Sequence, residues 1–442
     1  MSTLSLIQVG DIHYPDWDAS PSLTDDKDPS LSPVIKSGVT TVAVRRVLDR
    51  LSKKAAEPNT SSLVFMGDFT SRGDAKGLRA ALQHFSWLCK SERTVAARPK
   101  LLAVPGNHDV SRDDAMSLGQ FAKFDRMAKW ATEAHWCPLP TEAMVGIELG
   151  EASSGRVRVY LLNTSLGSWE RYLLPKALQD MVTKAGAKAE GVDPSKLEIT
   201  LAGAAKAPKT KGYYDQLDTP YVSAKALEDL CDAIREAPRG DAIVVVGHHN
   251  LLPQEQPRLS SYAEMLNGGY LRRALLSLGR PIVYLHGHTH VELIEEISDP
   301  RNSPAKILSI SAPRLEDGFN EISFHFDGRQ SVIGTRILPW RVSADRTQFA
   351  AAALDRAACT LQNGTALEPS PEGRALYGKL KRDYRYRVPD VADVVAEQEI
   401  QLGKRSLPNL LLELYFWRWI DVDHIGKSSN DWVIYVPNRG QA

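Results

Sequence analysis

The chain has 442 residues, of which 43% are hydrophobic and 24% charged, and its acidic and basic residues are equal in number. This length exceeds what one hydrophobic core usually sustains, so we expect one large domain with an accessory part. The formal net charge of zero excludes a global field that would draw the molecule to nucleic acid or to an anionic membrane.

The cysteines and the N-terminus indicate a reducing compartment. The four cysteines lie far apart without a CxxC pair, which argues against a disulfide framework and a structural zinc site. Residues 1–10 lack the basic start and the long apolar core of a signal peptide. We find no apolar stretch of about 18 residues, the length of a membrane-spanning helix. We therefore predict a cytoplasmic protein with no membrane partner.

Strands and helices alternate along the first three quarters of the chain. Short apolar runs predict strands at residues 4–9, 62–66, 100–104, 157–163, 242–246 and 281–285. Apolar residues at helical spacing predict helices at residues 40–54, 76–89, 117–135, 223–236 and 270–278. Alternating residues predict three strands of a second sheet at 306–310, 321–326 and 331–338. This order is typical of an α/β fold whose sheets are covered by helices.

Two polar stretches interrupt this pattern. Residues 19–37 are rich in Ser, Pro and Asp and predict a loop beside Asp11. Residues 185–219 carry lysines and are punctuated by Gly and Pro, which predicts an insertion. The insertion has two interpretations, a cap that attracts an anionic substrate and a solvated basic loop, and the second is favoured.

The composition changes from about residue 341, so we predict a domain at 1–340 and a mostly helical C-terminal accessory region of unknown role at 341–442. An Ala-rich stretch predicts a helix at 349–361. Residues 377–387 interleave tyrosines with basic residues, which suits single-stranded nucleic acid. An amphipathic surface element explains the same pattern and is favoured. We expect Trp417 and Trp419 to pack this region onto the main domain or a partner, a second copy in a dimer being one alternative.

Polar clusters follow five of the predicted strands. Seven of the chain's 11 histidines lie in or next to these clusters. Imidazole, carboxylate and carboxamide groups together suit Zn, Mn or Fe(II), and the lack of thiolates disfavours an iron–sulfur or structural zinc site. Residues two apart on an extended strand end point the same way, so each DxH or HxH pair can address one metal cluster. The clusters are DIH at 11–13, GD at 67–68, GNHD at 106–109, GHH at 247–249 and GHTH at 287–290.

The order DxH, GD, GNHD, GHH, GHTH resembles the motif set of the calcineurin-like metallophosphoesterase superfamily over roughly residues 1–340. The resemblance implies a four-layer αββα fold, in which two packed β-sheets are flanked by helices and two divalent metal ions lie at the sheet ends. It implies as ligands Asp11, His13 and His290 for the first ion, Asn107, His248 and His288 for the second, and Asp68 as the bridge between them.

The resemblance also implies roles for neighbouring residues. His108 would act as general acid or transition-state clamp, oriented by Asp109. His248 is preferred over His249 as a ligand because relatives use the first histidine of the fourth motif, although Asn250 stands where many relatives carry a proline.

The chemistry of this donor set agrees with phosphate ester hydrolysis. Two cations about 3.5–4 Å apart can bind phosphate oxygens, and metal binding lowers the pKa of water from 15.7 to about 7, which provides a bridging hydroxide as nucleophile. Asp68 suits the position between the ions, and His108 can protonate the leaving oxygen because histidine titrates nearest physiological pH. We therefore predict a two-metal phosphoesterase whose metals, among Mn, Fe and Zn, stay open.

The motifs also bear on the substrate. Ser71 stands where protein phosphatases of this superfamily usually carry a second Asp, and Asp109 stands where they carry Glu. The set is more similar to bacterial-type phosphodiesterases, so we predict a phosphodiesterase, with a phosphomonoesterase as the alternative. A nuclease on DNA or RNA is less favoured, and a non-catalytic scaffold is disfavoured because every ligand position is kept. Candidate substrate-binding residues are His249, Asn250 and Arg112, followed by Arg314 and the 14–38 loop, and for each of them a purely structural role is the favoured alternative.

Overall fold

The structure, a computed structural model, describes residues 2–13, 42–71, 73–89, 98–151, 153–170, 217–252, 265–290, 293–299, 301, 305–343, 348–352, 358–361, 369–403, 406–425 and 428–437. The predicted 19–37 loop lies outside these residues, as does the 185–219 insertion apart from residues 217–219. Among the described residues, no helix combines the length and the hydropathy that a membrane crossing requires.

The described residues form the following strands and helices. The strands are β1 Ser2–Val9, β2 Thr60–Phe65, β3 Lys100–Ala103, β4 Val145–Glu151, β5 Gly155–Leu161, β6 Ser168–Glu170, β7 Leu217–Asp218, β8 Ala242–Val246, β9 Pro281–His286, β10 Ile294–Ser298, β11 Lys306–Ser311, β12 Gly318–Phe326, β13 Val332–Val342, β14 Phe349–Ala351, β15 Ala358–Thr360, β16 Tyr384–Arg387, β17 Asp421–Asp423 and β18 Val433–Val436. The α-helices are α1 Val42–Ala55, α2 Ala75–Leu88, α3 Arg112–Ser117, α4 Asp125–Glu133, α5 Ala224–Glu236, α6 Gly268–Ser277, α7 Pro371–Lys379, α8 Val388–Glu397 and α9 Leu407–Phe416.

Sheet 1 has the strand order β14-β13-β12-β1-β2-β3, and β15 also pairs with β13. Its strands β1, β2 and β3 are parallel. Alternate side chains of β1 face opposite layers, since Ile7 and Val9 pack with α1 and α2 whereas Leu4 and Leu6 pack against the other sheet. Sheet 1 is therefore covered by helices on one face and by sheet 2 on the other.

Sheet 2 has the strand order β10-β11-β9-β8-β5-β4 and mirrors this arrangement. In β9, Val283 and Leu285 face sheet 1, whereas Ile282 and Tyr284 pack with α5 and α6. The two sheets and the two helical layers confirm the four-layer αββα fold that the motif resemblance implies.

The predicted grouping of the last three strands is wrong. β11 pairs in parallel with β9 in sheet 2, whereas β12 pairs antiparallel with β1 in sheet 1 and β13 pairs with β12. The alternation of apolar residues identifies a strand and its faces but not its partner, because pairing is decided by contacts distant in the sequence.

The predicted helix at 349–361 is also wrong where the structure describes it. β14 and β15 both extend sheet 1 by pairing with β13, and residues 353–357 lie outside the described part. The ring of Phe349 packs against Phe319 and Trp340 at centroid distances of 5.8 and 6.3 Å. Sheet pairing and this aromatic contact override the helical preference of the alanines.

Residues 369–437 form helices α7, α8 and α9 and a three-stranded sheet, β16-β18-β17, around a core of their own. This region therefore contains strands in addition to the predicted helices. It contacts sheet 1 through Phe416, whose ring lies 5.3 Å from that of His325, and through Ile425, whose carbonyl accepts a hydrogen bond from Arg336 at 3.2 Å. Trp419 instead packs on Tyr377 inside the region, at 4.7 Å. The predicted role of Trp419 in docking thus falls to these residues.

The Tyr-rich segment is largely built into this region. Tyr386 is buried, and its hydroxyl accepts a hydrogen bond from the Lys381 amide at 2.8 Å. The guanidinium of Arg382 lies 3.7 Å from the ring centroid of Tyr377. Tyr384 is 51% exposed, and its ring lies 4.7 Å from that of Tyr386. All three rings thus have a partner within the protein, which does not favour a stacking platform for nucleic acid.

Candidate metal centre

The five polar clusters meet at one edge of the sheet sandwich. They follow β1, β2 and β3 of sheet 1 and β8 and β9 of sheet 2, and within each sheet these strands are parallel. Their carboxyl ends therefore lie side by side. The two sheets meet there as well, because Asp11 Oδ1 lies 3.8 Å from His248 Nδ1.

The first group of donors contains Asp11, His13 and His290, whose ligand atoms all lie within 4.8 Å of one another. His290 Nε2 is 2.7 Å from Asp11 Oδ2 and 3.1 Å from His13 Nε2. One carboxylate oxygen and two imidazole nitrogens thus converge on one point, as the prediction for the first ion requires.

The second group is centred on His248. Its Nε2 lies 2.9 Å from Asn107 Oδ1 and 3.4 Å from Asp68 Oδ2. Its Nδ1 lies 2.6 Å from the backbone carbonyl of Met66, which assigns the proton of the neutral ring to Nδ1. The Nε2 lone pair therefore faces two oxygen acceptors, an arrangement that a cation satisfies. Asp11, Asp68 and His248 form a mutually close group, so Asp11 as well as Asp68 lies between the two subsites.

The charges of the centre also fit a cation. Burial disfavours ionisation of Asp68, but His248, His108 and His13 together hold its pKa well below the usual value. Burial also disfavours a charged His248, yet Asp68 and Asp11 raise its pKa to about 10. The carboxylates thus draw positive charge strongly into a buried space, and a metal ion takes the place of such a proton when it binds.

The backbone around the donors is strained. His13, Asp68, His288 and His290 have positive φ values of 45°, 50°, 64° and 57°. Residues other than glycine rarely adopt positive φ values, and such backbone strain concentrates at functional sites. At Gly106, a Cβ atom would overlap the Asp68 carboxylate, so glycine is required by close approach.

Asp109 contacts the backbone rather than the ring of His108. Its Oδ1 accepts hydrogen bonds from the amides of Phe69 at 2.6 Å and Thr70 at 3.3 Å, and its Oδ2 accepts one from Gly106 at 2.9 Å. Burial, followed by the charge of Asp68, raises the pKa of Asp109 to about 8. Both carboxylate oxygens are thus used to join the second and third motifs, so Asp109 orients His108 only through the backbone.

His108 lies at the rim of the centre. Its amide donates to Asp68 Oδ1 at 2.8 Å, and its carbonyl accepts from Thr70 Oγ1 at 2.8 Å. Its half-buried ring lies edge-on to the rings of His13 and Trp169, at centroid distances of 5.5 and 6.2 Å. The imidazole is therefore held beside the donor groups without being one of them.

The candidate substrate-binding residues fall into two sets. The half-buried Arg112 lies over the Trp169 ring at 4.3 Å, and Arg314 lies 2.9 Å from His290 Nδ1, so both border the centre. His249 and Asn250 are buried, and the ligand atoms of His248, His249 and His288 all lie within 4.8 Å of one another. The amide of Asn250 donates to the Leu252 carbonyl. This placement does not favour direct substrate contact by His249 or Asn250.

Three residues near the centre are absent from the sequence predictions. Trp169 Nε1 donates to the Asn107 carbonyl at 2.7 Å, Thr164 Oγ1 lies 2.9 Å from His249 Nδ1, and Asp218 Oδ2 lies 3.9 Å from His249 Nε2. Burial opposes ionisation of Asp218, but His249 keeps its pKa below the usual value. Thr164 follows a predicted strand directly, which is a usable signal, whereas nothing local marks Trp169 or Asp218.

Comparison with known proteins supplies a family match. The sequence profile described as calcineurin-like phosphoesterase matches residues 4–292. No protein of curated function matches the chain significantly.

Solved structures resemble the chain at low identity. The phosphopantetheinyl hydrolase of Mycobacterium tuberculosis is 13% identical, with 71% of this chain and 91% of that one covered and a TM-score of 0.34. A calcineurin-like phosphoesterase of Bacillus subtilis is 12% identical, with coverages of 94% and 99% and a TM-score of 0.35. A 5′-nucleotidase precursor of Thermus thermophilus is 15% identical with a TM-score of 0.32, and the match covers 76% of this chain but 54% of that one.

Proposed function

The chain belongs to the calcineurin-like phosphoesterase family, and from this premise we propose that it is a phosphodiesterase that depends on two divalent metal ions. The observation that carries the proposal is the convergence of two groups of lone-pair donors, Asp11 with His13 and His290, and Asp68 with Asn107 and His248.

The residues fit such ions. In the proposal, Asp11, His13 and His290 hold the first ion, Asn107, His248 and His288 hold the second, and Asp68 lies between them. Bound divalent cations neutralise charge on the phosphate oxygens and lower the pKa of water. The contact of His248 Nδ1 with the Met66 carbonyl, at 2.6 Å, presets the ring orientation and directs Nε2 to the centre.

His108 supplies the proton for the leaving oxygen in this proposal. Its backbone is fixed on both sides, by Asp68 and by Thr70, so its ring is held next to His13 at the rim. A positioned imidazole can transfer a proton near neutral pH. Arg314, next to His290 and partly exposed, is placed to face the anionic substrate.

The preference for a diester is supported by the second and third motifs. Ser71, which replaces the second Asp of the protein-phosphatase motif, donates from its Oγ to the His13 carbonyl at 3.4 Å, and Asp109 replaces the Glu of that motif set. The monoesterase alternative is supported by Arg314, because a guanidinium suits the second charge of a monoester.

The test compares a diaryl phosphodiester and the matching aryl monoester. Chelator-treated protein is reloaded with Mn²⁺, Zn²⁺ or Fe²⁺, its metal content is measured, and kcat/KM is determined for both substrates. We expect two bound equivalents and a higher kcat/KM for the diester. Asp11→Asn should lose activity and metal, whereas Asp49→Asn, a change on an exposed side chain of α1, should keep both. Absence of turnover on both substrates in the loaded protein would contradict the proposal, and a faster monoester reaction would replace the diester by the monoester.

A further inference from the structure

Strands β6 and β7 pair antiparallel, and residues 171–216 between them lie outside the described part of the chain. This strand pair, named the β6–β7 hairpin, lies beside the second group of donors and carries residues that the proposed reaction does not use. Ser168 pairs with Asp218 across the hairpin. The buried ammonium of Lys123 donates to the carbonyls of Leu166 and Ser168, both at 2.8 Å, and to Glu170 at 3.0 Å. The first strand of the hairpin is thus fixed to the domain by an interior cation.

One contact of the hairpin reaches Asn107. The indole Nε1 of Trp169, in β6, donates to the Asn107 carbonyl at 2.7 Å, and both residues are buried. Because a buried carbonyl needs a donor, this hydrogen bond fixes the backbone from which the Asn107 side chain extends toward His248.

A second contact runs from β7 to His249. Thr164 Oγ1 accepts hydrogen bonds from the amides of His248 and His249, each at 3.1 Å, so its own proton is available for His249 Nδ1, 2.9 Å away. The proton of the neutral His249 ring therefore lies on Nε2. That N–H faces Asp218 Oδ2 at 3.9 Å.

Asp218 depends on this imidazole. The residue is 1% exposed, and among the described residues neither of its carboxylate oxygens has a hydrogen bond of normal length. A buried carboxylate without hydrogen-bond partners is unfavourable, because its charge is removed from water without compensation. The Nε2–H of His249, which also has no other acceptor among the described residues, faces Asp218 Oδ2, and the buried ammonium of Lys123 adds favourable charge.

The His249 ring in turn contacts both histidines assigned to the second ion. Its centroid lies 4.7 Å from that of His248, at an interplanar angle of 87°, and 4.5 Å from that of His288. A shift of the His249 ring therefore displaces both neighbours, since close-packed rings transmit strain.

We infer that the β6–β7 hairpin holds the second metal subsite in place, and we call this role the brace. Asp218 and His249 are positioning residues for His248 and His288. Trp169 is the positioning residue for Asn107. The inference rests on the proposed function, because it assumes two ions. It assigns His249 neither to the metal nor to the substrate: a metal bound at Nε2 would require a proton on Nδ1, where the Thr164 oxygen already accepts two amides.

The test measures metal affinity directly. Metal-free wild type, Asp218→Asn and His249→Phe are titrated with Zn²⁺ against a chromophoric chelator, and the first and second equivalents are fitted separately. We expect the second equivalent to bind about 10–100-fold more weakly in both variants, as is typical when a residue behind a ligand is changed. The affinity for the first zinc ion should be unchanged. His249→Phe keeps the ring packing, so it carries the comparison independently if Asp218→Asn folds poorly.

The matched control is Asp241→Asn. Asp241 is also buried, but it pairs with Arg158 at 2.6 Å just before β8 begins, at the opposite end of that strand from His248. Its replacement should leave the affinities for both zinc ions unchanged.

A second readout follows the His249 proton. In chelator-treated protein labelled with ¹⁵N-histidine, the slowly exchanging imidazole N–H resonance that disappears in His249→Phe should shift in Asp218→Asn. The inference would be overturned if both variants bound the second zinc ion with wild-type affinity. It would also be overturned if the affinities for the first and second ions fell equally. A wild-type chain that binds fewer than two equivalents would overturn the two-ion proposal together with the brace.

Discussion

The Oδ1 atom of Asp109 lies 2.6 Å from the backbone nitrogen of Phe69, whose N–H it accepts. Phe69 follows Asp68 directly, and Asp109 follows Asn107 by two residues. The other Asp109 oxygen accepts from Gly106, so a single carboxylate ties the second motif to the third. The relative position of Asp68 and Asn107, one donor from each motif, depends on this link.

Asp109→Asn should therefore destabilise the metal-free protein. The amide NH₂ that replaces one oxygen must face a backbone N–H, and one unsatisfied buried donor costs about 1–3 kcal/mol. The measurement is the free energy of unfolding in urea with chelator present at about pH 9, above the pKa of about 8 at which Asp109 loses its proton and both oxygens accept, followed by zinc affinity. Asp113→Asn, on an exposed side chain nearby, is the control. If Asp109 served only to orient the His108 ring, activity would fall and stability would not.

His108→Gln should lower kcat without removing metal. A lost proton donor costs about 10²–10⁴-fold for general acid catalysis, and the loss should be larger for an alkyl leaving group than for a nitrophenolate, which departs without a proton. His108 is not among the mutually close donors, so metal content should match wild type. An equal loss for both leaving groups would argue against proton donation and favour charge stabilisation by the imidazole.

The convergence of the donor groups was largely predictable because each cluster is local in the sequence. Each cluster follows a buried strand within a few residues, and parallel strands bring their ends together, as at Asp11 and His290. The contact between Asp218 and His249 was not predictable. Asp218 lies 31 residues before His249 in the sequence, no local pattern links the two, and they meet only through tertiary structure. Likewise, pairing with β13 placed Phe349 in a strand where its alanine neighbours favour a helix.

Stability should depend on pH through His325. Burial, with the charge of Arg336, lowers the pKa of His325 from 6.5 to about 3. Below pH 6.5 the unfolded histidine therefore takes up a proton that the folded one excludes, and stability falls as the pH falls, by up to about 1.4 kcal/mol per pH unit. His325→Phe should reduce this slope in urea unfolding between about pH 6.5 and 5, measured with chelator present.

The control for this slope is His424→Asn. His424 is exposed and has a φ of 61°, a conformation that asparagine tolerates. Its replacement should leave the pH dependence as in wild type. A slope in His325→Phe equal to that of wild type would show that His325 protonates equally in both states.

The contact between Phe416 and Gly334 should couple the C-terminal region to sheet 1. Phe416 is fully buried, and a Cβ atom at Gly334 would overlap its ring. Phe416→Ala should cost about 3–5 kcal/mol through the cavity it leaves, and Gly334→Ala about 1–3 kcal/mol through overpacking. In the double variant the new methyl group enters the cavity, so the combined cost in urea unfolding should be smaller than the sum. Gly334 lies far along sheet 1 from the donors: it pairs with His325, which pairs with Thr3 at the start of β1, whereas Asp11 follows the end of β1. Zinc content should therefore stay at the wild-type level. Strictly additive costs would mean that the ring of Phe416 and the backbone at Gly334 do not meet.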